Sequence, residues 1–235
     1  MTLTPPSPPQ DDRRTAVPAE RSFPARAADV SSIAGIAFLL LLALLHLIRP
    51  DVSTSWQTTS EYALGDLGWL MTVAFLLSAT GYGALAIALL ARPRRLPARI
   101  GAVVLAVVAA GTVAGGVFVT DPLGTPQDQL STSGTLHGLG AGLALMFLPV
   151  AALLITFGLA RDGSFSTVRR GLWWSAALPA AALVMFMVAQ AVLLGAGDGG
   201  FGPDVPIGWP ERILVLAYAA WQIVVARIVS RRTVR

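Results

Sequence analysis

The chain contains no cysteine, so disulfides, thiolate metal sites and cysteine nucleophiles are all excluded, and the redox compartment cannot be read. It contains no lysine, and all 17 basic residues are arginine. It has two histidines, His46 and His137, too few for a site built on three imidazoles. Charge is scarce as well: Asp, Glu and Arg make up 13% of the 235 residues, against roughly 25% in soluble domains. With 54% of residues hydrophobic, the chain cannot cover itself with a soluble surface, and the membrane class follows. No internal repeat is visible, which argues against a transporter built from duplicated halves.

What is present is organised in long apolar runs. Residues 1–27, rich in Pro and charge as in "TPPSPPQDDRRTAVPAERSFPAR", cannot bury a core and read as a disordered cytoplasmic tail. Residues 28–231 read as an all-α, polytopic domain of six transmembrane helices, at 30–48, 66–91, 100–119, 136–160, 171–195 and 210–229. Each run is close to the ~20 residues that cross ~30 Å of hydrocarbon, where every backbone polar group must be satisfied within its own segment. The first run is too long for a signal peptide, and "HLIRPDVSTSW" after it offers no small-x-small cleavage site.

Arginine placement predicts the orientation. With a cytoplasmic N-terminus, only Arg49 and Arg212 of the 17 arginines fall outside, a strong positive-inside bias. Both termini are then cytoplasmic, and the net charge of +4 is a topology signature that makes nucleic acid an unneeded partner. Trp56, Trp69 and Trp209 mark the outer boundary and Trp173 and Trp174 the inner one, as an aromatic belt does. Gly111/Gly115 and Gly138/Gly142 are G-x-x-x-G pairs suited to close helix approach. Pro149 and Pro179 fall inside helical runs and are expected to bend them.

The uncommon polar residues sort into one layer near the outer surface: His46, Glu61, Asp66, Asp121, His137, Gln190, Glu211 and Arg212. Asp66 and Glu211 begin helices, where the dipole favours an acid, and His46 ends one, where it favours a base. Asp51, Asp128, Asp198 and Asp204 lie in polar loops and read as solvated. Three residues oppose their helix dipoles. Asp121 follows the C-terminus of the third helix, His137 sits at the N-terminus of the fourth, which disfavours imidazolium, and Arg212 sits at the N-terminus of the sixth. An unpaired Arg212 would be costly, so an acid from another helix, Asp66 or Asp121, is its expected partner, or else a lipid or substrate phosphate.

"SEYALGDLGWLM", "GGVFVTDP", "GTLHGLGAGLALMFLPVAALL" and "PERILVLAYAAW" together resemble the family called domain of unknown function 998, six-helix bacterial membrane proteins. The resemblance spans about residues 30–230 and implies a fold and a membrane location without an activity. The family's last motif often carries Gln where this chain has Glu211.

Four readings of the polar layer follow. The first is a pocket on the extracytoplasmic side of a bacterial cytoplasmic membrane that binds a lipid headgroup or small ligand. The second is a membrane-embedded hydrolase in which His46, His137 and Asp121 hold zinc and Glu61 or Asp66 is the base. The third has His46 and His137 as axial ligands of a haem. The fourth is a structural or partner-binding bundle without catalysis.

Overall fold

The computed structural model describes residues 21–92, 95–195 and 200–233. Most of the tail and Asp198 lie outside the described residues. Six α-helices follow one another: α1 (Phe23–Ile48), α2 (Gly68–Leu90), α3 (Leu96–Val117), α4 (Thr132–Ala160), α5 (Arg169–Gly195) and α6 (Gly208–Thr233). All six are long and apolar enough to cross a membrane, and no strand occurs among the described residues. α1 begins well before position 30, because Pro24 suits a first helical turn, which needs no N–H, and Ala25, Ala27 and Ala28 propagate it. α4 likewise starts early, at Thr132, where the Ser131 hydroxyl accepts from Gly134 N.

Each helix packs against its neighbours in sequence, and α6 closes on α1, so the six form a ring. Buried residues from every member meet in its core, including Ala28, Leu85, Leu105, Leu148, Leu172 and Leu214. Lipid tails are as apolar as these side chains, so close packing and hydrogen bonds, more than hydrophobicity, hold the ring together. One end carries the α1–α2, α3–α4 and α5–α6 connections and is called here the acidic end. The other carries the α2–α3 and α4–α5 links and is called the basic end.

Small residues set the α3–α4 contact, though only half of them are those expected. A Cβ on Gly111 would sit 2.8 Å from the Gly140 carbonyl, and one on Gly140 would sit 2.7 Å from the Gly111 carbonyl. Further along the same antiparallel pair, Gly101 lies against Ile155 and Gly158 against Ala98. Gly138 and Gly142 face open space. The α4 partner of the Gly111/Gly115 pair is therefore Gly140, one helical face away from the G-x-x-x-G of that helix.

Between α1, α2 and α6 the lock is polar. Buried Gln222 donates to the Ser31 carbonyl at 3.0 Å, in space left by Gly35 and Gly81, where a Cβ would strike its amide. The helices run unbroken through both internal prolines. Pro149 has no N–H to give the Leu145 carbonyl one turn back. The Tyr218 hydroxyl of α6 donates to that carbonyl at 2.6 Å, which satisfies inside the membrane a group the proline would otherwise orphan.

Candidate functional site

The α1–α2 connection is folded over the acidic end of the ring and fastened from several sides. Its 3₁₀ turn, Thr59–Ala63, is held to α1 by Arg49, whose guanidinium donates to the carbonyls of Leu64 (2.9 Å) and Tyr62 (3.3 Å). Arg49 also grips exposed Asp51 through Nε and Nη2. That guanidinium holds the Asp51 carboxyl below its ordinary value, and the same contact raises the arginine above its own. Gly208 N donates to Ser55 O at 2.8 Å, tying the connection to the start of α6. Gly65, at φ 80°, makes the left-handed turn that returns the chain to α2.

Two buried carboxylates complete the fastening. Glu61, 2% exposed, accepts at Oε1 from Leu123 N at 3.0 Å, linking the 3₁₀ turn to the α3–α4 connection. Its Oε2 is buried without a hydrogen-bond partner among the described residues. Glu211, in the first turn of α6, accepts from the Thr59 hydroxyl (2.7 Å) and from Thr59 N (3.2 Å).

Beneath this cover lies a half-open cavity of about 170 Å³. Each of the six helices contributes to its wall. Aromatic rings dominate: Phe38, Phe75, Tyr82, Phe186 and Tyr218. Polar groups gather mainly at the acidic end, where Thr58, Thr59 and Ser60 of the cover, His137 of α4 and Glu211 of α6 line it. The result is a largely aromatic chamber whose ionisable groups His137 and Glu211 lie beneath the cover, with Ser78, Tyr82, Thr112 and Tyr218 adding hydroxyls deeper in the wall.

The eight residues expected to form one polar layer divide into separate assemblies. Glu211 and His137 line the cavity, while His46, Glu61, Asp66, Asp121, Gln190 and Arg212 do not. Arg212 turns away toward α1. Its Nε donates to His46 Nε2 at 2.9 Å, and its Nη1 donates to the carbonyls of Gln57 (2.6 Å) and Gly208 (3.1 Å). No acid lies within ion-pair distance of it among the described residues, so neither Asp66 nor Asp121 is its partner. A guanidinium has only donors, so His46 Nε2 must be the acceptor, and the ring proton lies on Nδ1, 2.7 Å from the Leu42 carbonyl. The Tyr62 ring packs on His46 with centroids 5.1 Å apart.

Asp121 and His137, both at odds with the dipoles of their own sequence neighbourhoods, serve other helices. Asp121 Oδ2 accepts from Ser131 N at 2.8 Å, at the N-terminus of α4. His137 points Nδ1 at the carbonyls of Gly115 (2.7 Å) and Phe118 (3.0 Å), at the C-terminal end of α3. Asp66 is exposed and precedes the α2 cap, Leu67, rather than lying within the first turn. Gln190 is half-buried on α5.

His46, His137 and Asp121 are therefore not brought together, and among the described residues no group of three His, Asp or Glu side chains is placed to hold a metal ion. The zinc reading and the two-histidine haem reading both lack the convergence they need, because His46 Nε2 faces Arg212 and His137 Nδ1 faces α3 carbonyls.

Residues that sequence reasoning did not single out carry much of the wall. Tyr82 and Tyr218 had a readable signal, a polar tip inside an apolar run. Thr59 had none, because a threonine in a polar loop is unremarkable until α6 is packed against it. Residues 32–228 match the family described as Protein of unknown function (DUF998), and the chain belongs to that family. No curated protein and no solved structure matches the chain.

Proposed function

We propose that this DUF998 membrane protein binds a lipid headgroup or small ligand within its helix ring, under the cover formed by the α1–α2 connection. The observation that carries the reading is the cavity itself. A bundle serving packing alone would fill its centre with side chains at the density of other protein interiors. Here all six helices leave a chamber with a mostly apolar, aromatic wall and a small number of polar groups, the lining usual for a small-molecule site. The one-sided distribution of arginine in the sequence supports a cytoplasmic basic end, with the acidic end facing out of a bacterial cytoplasmic membrane.

Native mass spectrometry of the detergent-purified protein tests the reading against Ala144→Phe, which places a ring where a small side chain now lines the cavity. Wild type should retain a molecule that the folded variant loses. Identical retained species in both would remove the proposal. The orientation is tested separately, since the chain has no native cysteine. Gln129→Cys, exposed at the acidic end, should react with an impermeant thiol reagent on intact cells, and Ser166→Cys, exposed at the basic end, should not.

A further inference from the structure

We infer that the cavity selects an organic cation, a small hydrophobic amine or ammonium group. The inference rests on the reading of the cavity as a binding site and adds the charge of its occupant. The buried acids around the cover are Glu61 and Glu211, and the buried guanidinium is Arg212. That is two carboxylates against one cation. The cation makes no hydrogen bond or ion pair with either acid among the described residues: its Nε and Nη1 are directed to His46 and to the backbone carbonyls of Gln57 and Gly208, and its Nη2 is buried without a hydrogen-bond partner.

Glu211 is thus a carboxylate in the cavity wall, 8% exposed, with no arginine beside it among the lining residues. Its two hydrogen bonds come from one neutral residue, Thr59. Those bonds satisfy the carboxyl without supplying a counter-charge, which a bound cation would provide. In a medium of low dielectric, such a charge attracts a counter-charge far more strongly than it would in water. An anionic headgroup placed there would meet Glu211 in the wall, whereas Arg212, which also acts on that carboxylate, lies outside the wall and turns toward His46.

The rest of the wall favours the same class. Phe38, Phe75, Phe186, Tyr82 and Tyr218 surround the chamber, and aromatic faces attract cations while accepting apolar groups. His137 has committed its Nδ1 proton to the α3 carbonyls. The space suits a group about the size of benzene, which a cavity of about 150 Å³ holds, since this half-open one is about 170 Å³.

Three probes of one shape separate charge from size: benzylammonium, its uncharged counterpart ethylbenzene, and benzoate. Equilibrium dialysis uses the full chain in detergent micelles, with the Ala144→Phe protein as the blank for partition into micelles. Benzylammonium should bind with one site per chain and at least about tenfold more tightly than ethylbenzene, a margin of 1.4 kcal/mol in the handling of one charge. Benzoate should not exceed the blank. Glu211→Gln, which keeps an acceptor for Thr59, should abolish the preference for the cation and leave ethylbenzene unchanged. The order of the three probes on wild type stands even if that variant fails to fold.

Ethylbenzene binding without a preference for benzylammonium, or a preference that survives Glu211→Gln in folded protein, overturns the cation inference and leaves the cavity reading standing. Failure of all three probes overturns both. Native mass spectrometry distinguishes the sources of the cation: a retained aminolipid or a small free amine, lost on Glu211→Gln, each supports the inference. A retained anionic lipid lost on the same substitution refutes it.

Discussion

Asp121 and His137 exchange helices. Asp121 follows α3 yet accepts from Ser131 N at the start of α4, while His137 belongs to α4 yet faces the carbonyls of Gly115 and Phe118 at the end of α3. Each places a suitable group at a terminus of opposite partial charge. The two helices that pack most closely through Gly111 and Gly140 are thereby cross-capped at the acidic end.

The first prediction follows from that exchange. Asp121→Ala removes an acceptor at a helix start and should cost about 0.5–2 kcal/mol, with Asp121→Asn milder. His137→Ala leaves buried carbonyls without their donor and should cost about 1–3 kcal/mol. Thermal melts in detergent read both. A His137→Ala protein as stable as wild type would show that the imidazole does not cap α3.

Arg212 and His46 give the second. His46→Ala removes one hydrogen bond to a buried cation and should destabilise the protein by about 1.5–3 kcal/mol. Arg212→Ala should cost more, since it also releases the Gln57 carbonyl in the cover. ¹⁵N-labelled histidine spectra should place the His46 proton on Nδ1, and a proton found on Nε2 would contradict the contact with Arg212.

How much of this was legible in the sequence differs by scale. Six spans could be read because apolar length is a one-dimensional property, and in hydrocarbon only helices satisfy the backbone of a single run. The depth of the polar residues could be read for the same reason. Which of them converge could not, because depth leaves the angle around the ring undetermined. His46 and Arg212 come from opposite ends of the chain and meet only because α6 closes on α1. The dipole argument correctly marked Asp121 and His137 as unusual, but it counted only each residue's own helix, and the answer lay in the neighbouring one. The sequence suggests a pocket role for Glu61, whereas the structure has it fastening Leu123, a partner no local pattern names.

The third prediction separates the glycines of α4. Gly140→Ala and Gly111→Ala each drive a methyl group into backbone of the facing helix and should destabilise the protein. Gly138→Ala and Gly142→Ala meet nothing within 4 Å, and should be neutral or stabilising by up to about 1 kcal/mol from helix propensity alone. Equal effects at Gly140 and Gly142 would mean that α3 does not use this face.

The fourth concerns pH. Arg49 holds the Asp51 carboxyl below its ordinary value of 3.8. A depressed folded value means stability that is present above the ordinary value and lost as pH falls through the folded one. The contribution is therefore intact at neutral pH and begins to be lost as pH falls below about 4. Asp51→Asn should be less stable than wild type at pH 7, by a small amount because Asp51 is exposed. The difference should shrink as pH falls below the ordinary value of 3.8, and a gap that stays constant across that acid range would assign it to something other than ionisation.

The last prediction concerns the proline in α4. Pro149 lacks the N–H that would bond the Leu145 carbonyl, and Tyr218 supplies a hydroxyl at 2.6 Å in its place. Tyr218→Phe keeps the ring in the cavity wall and removes only that donor, so a carbonyl inside the bundle is left unsatisfied at a cost of about 1–3 kcal/mol. Pro149→Ala restores a backbone N–H to the same carbonyl. In that background Tyr218→Phe should cost much less, because the helix now satisfies Leu145 itself. The coupling between the two substitutions should be about 1 kcal/mol or more, which a double-mutant cycle of melts in detergent can resolve. Additive effects would show that the tyrosine and the proline are independent, and that the hydroxyl is present for the ligand instead of for the helix.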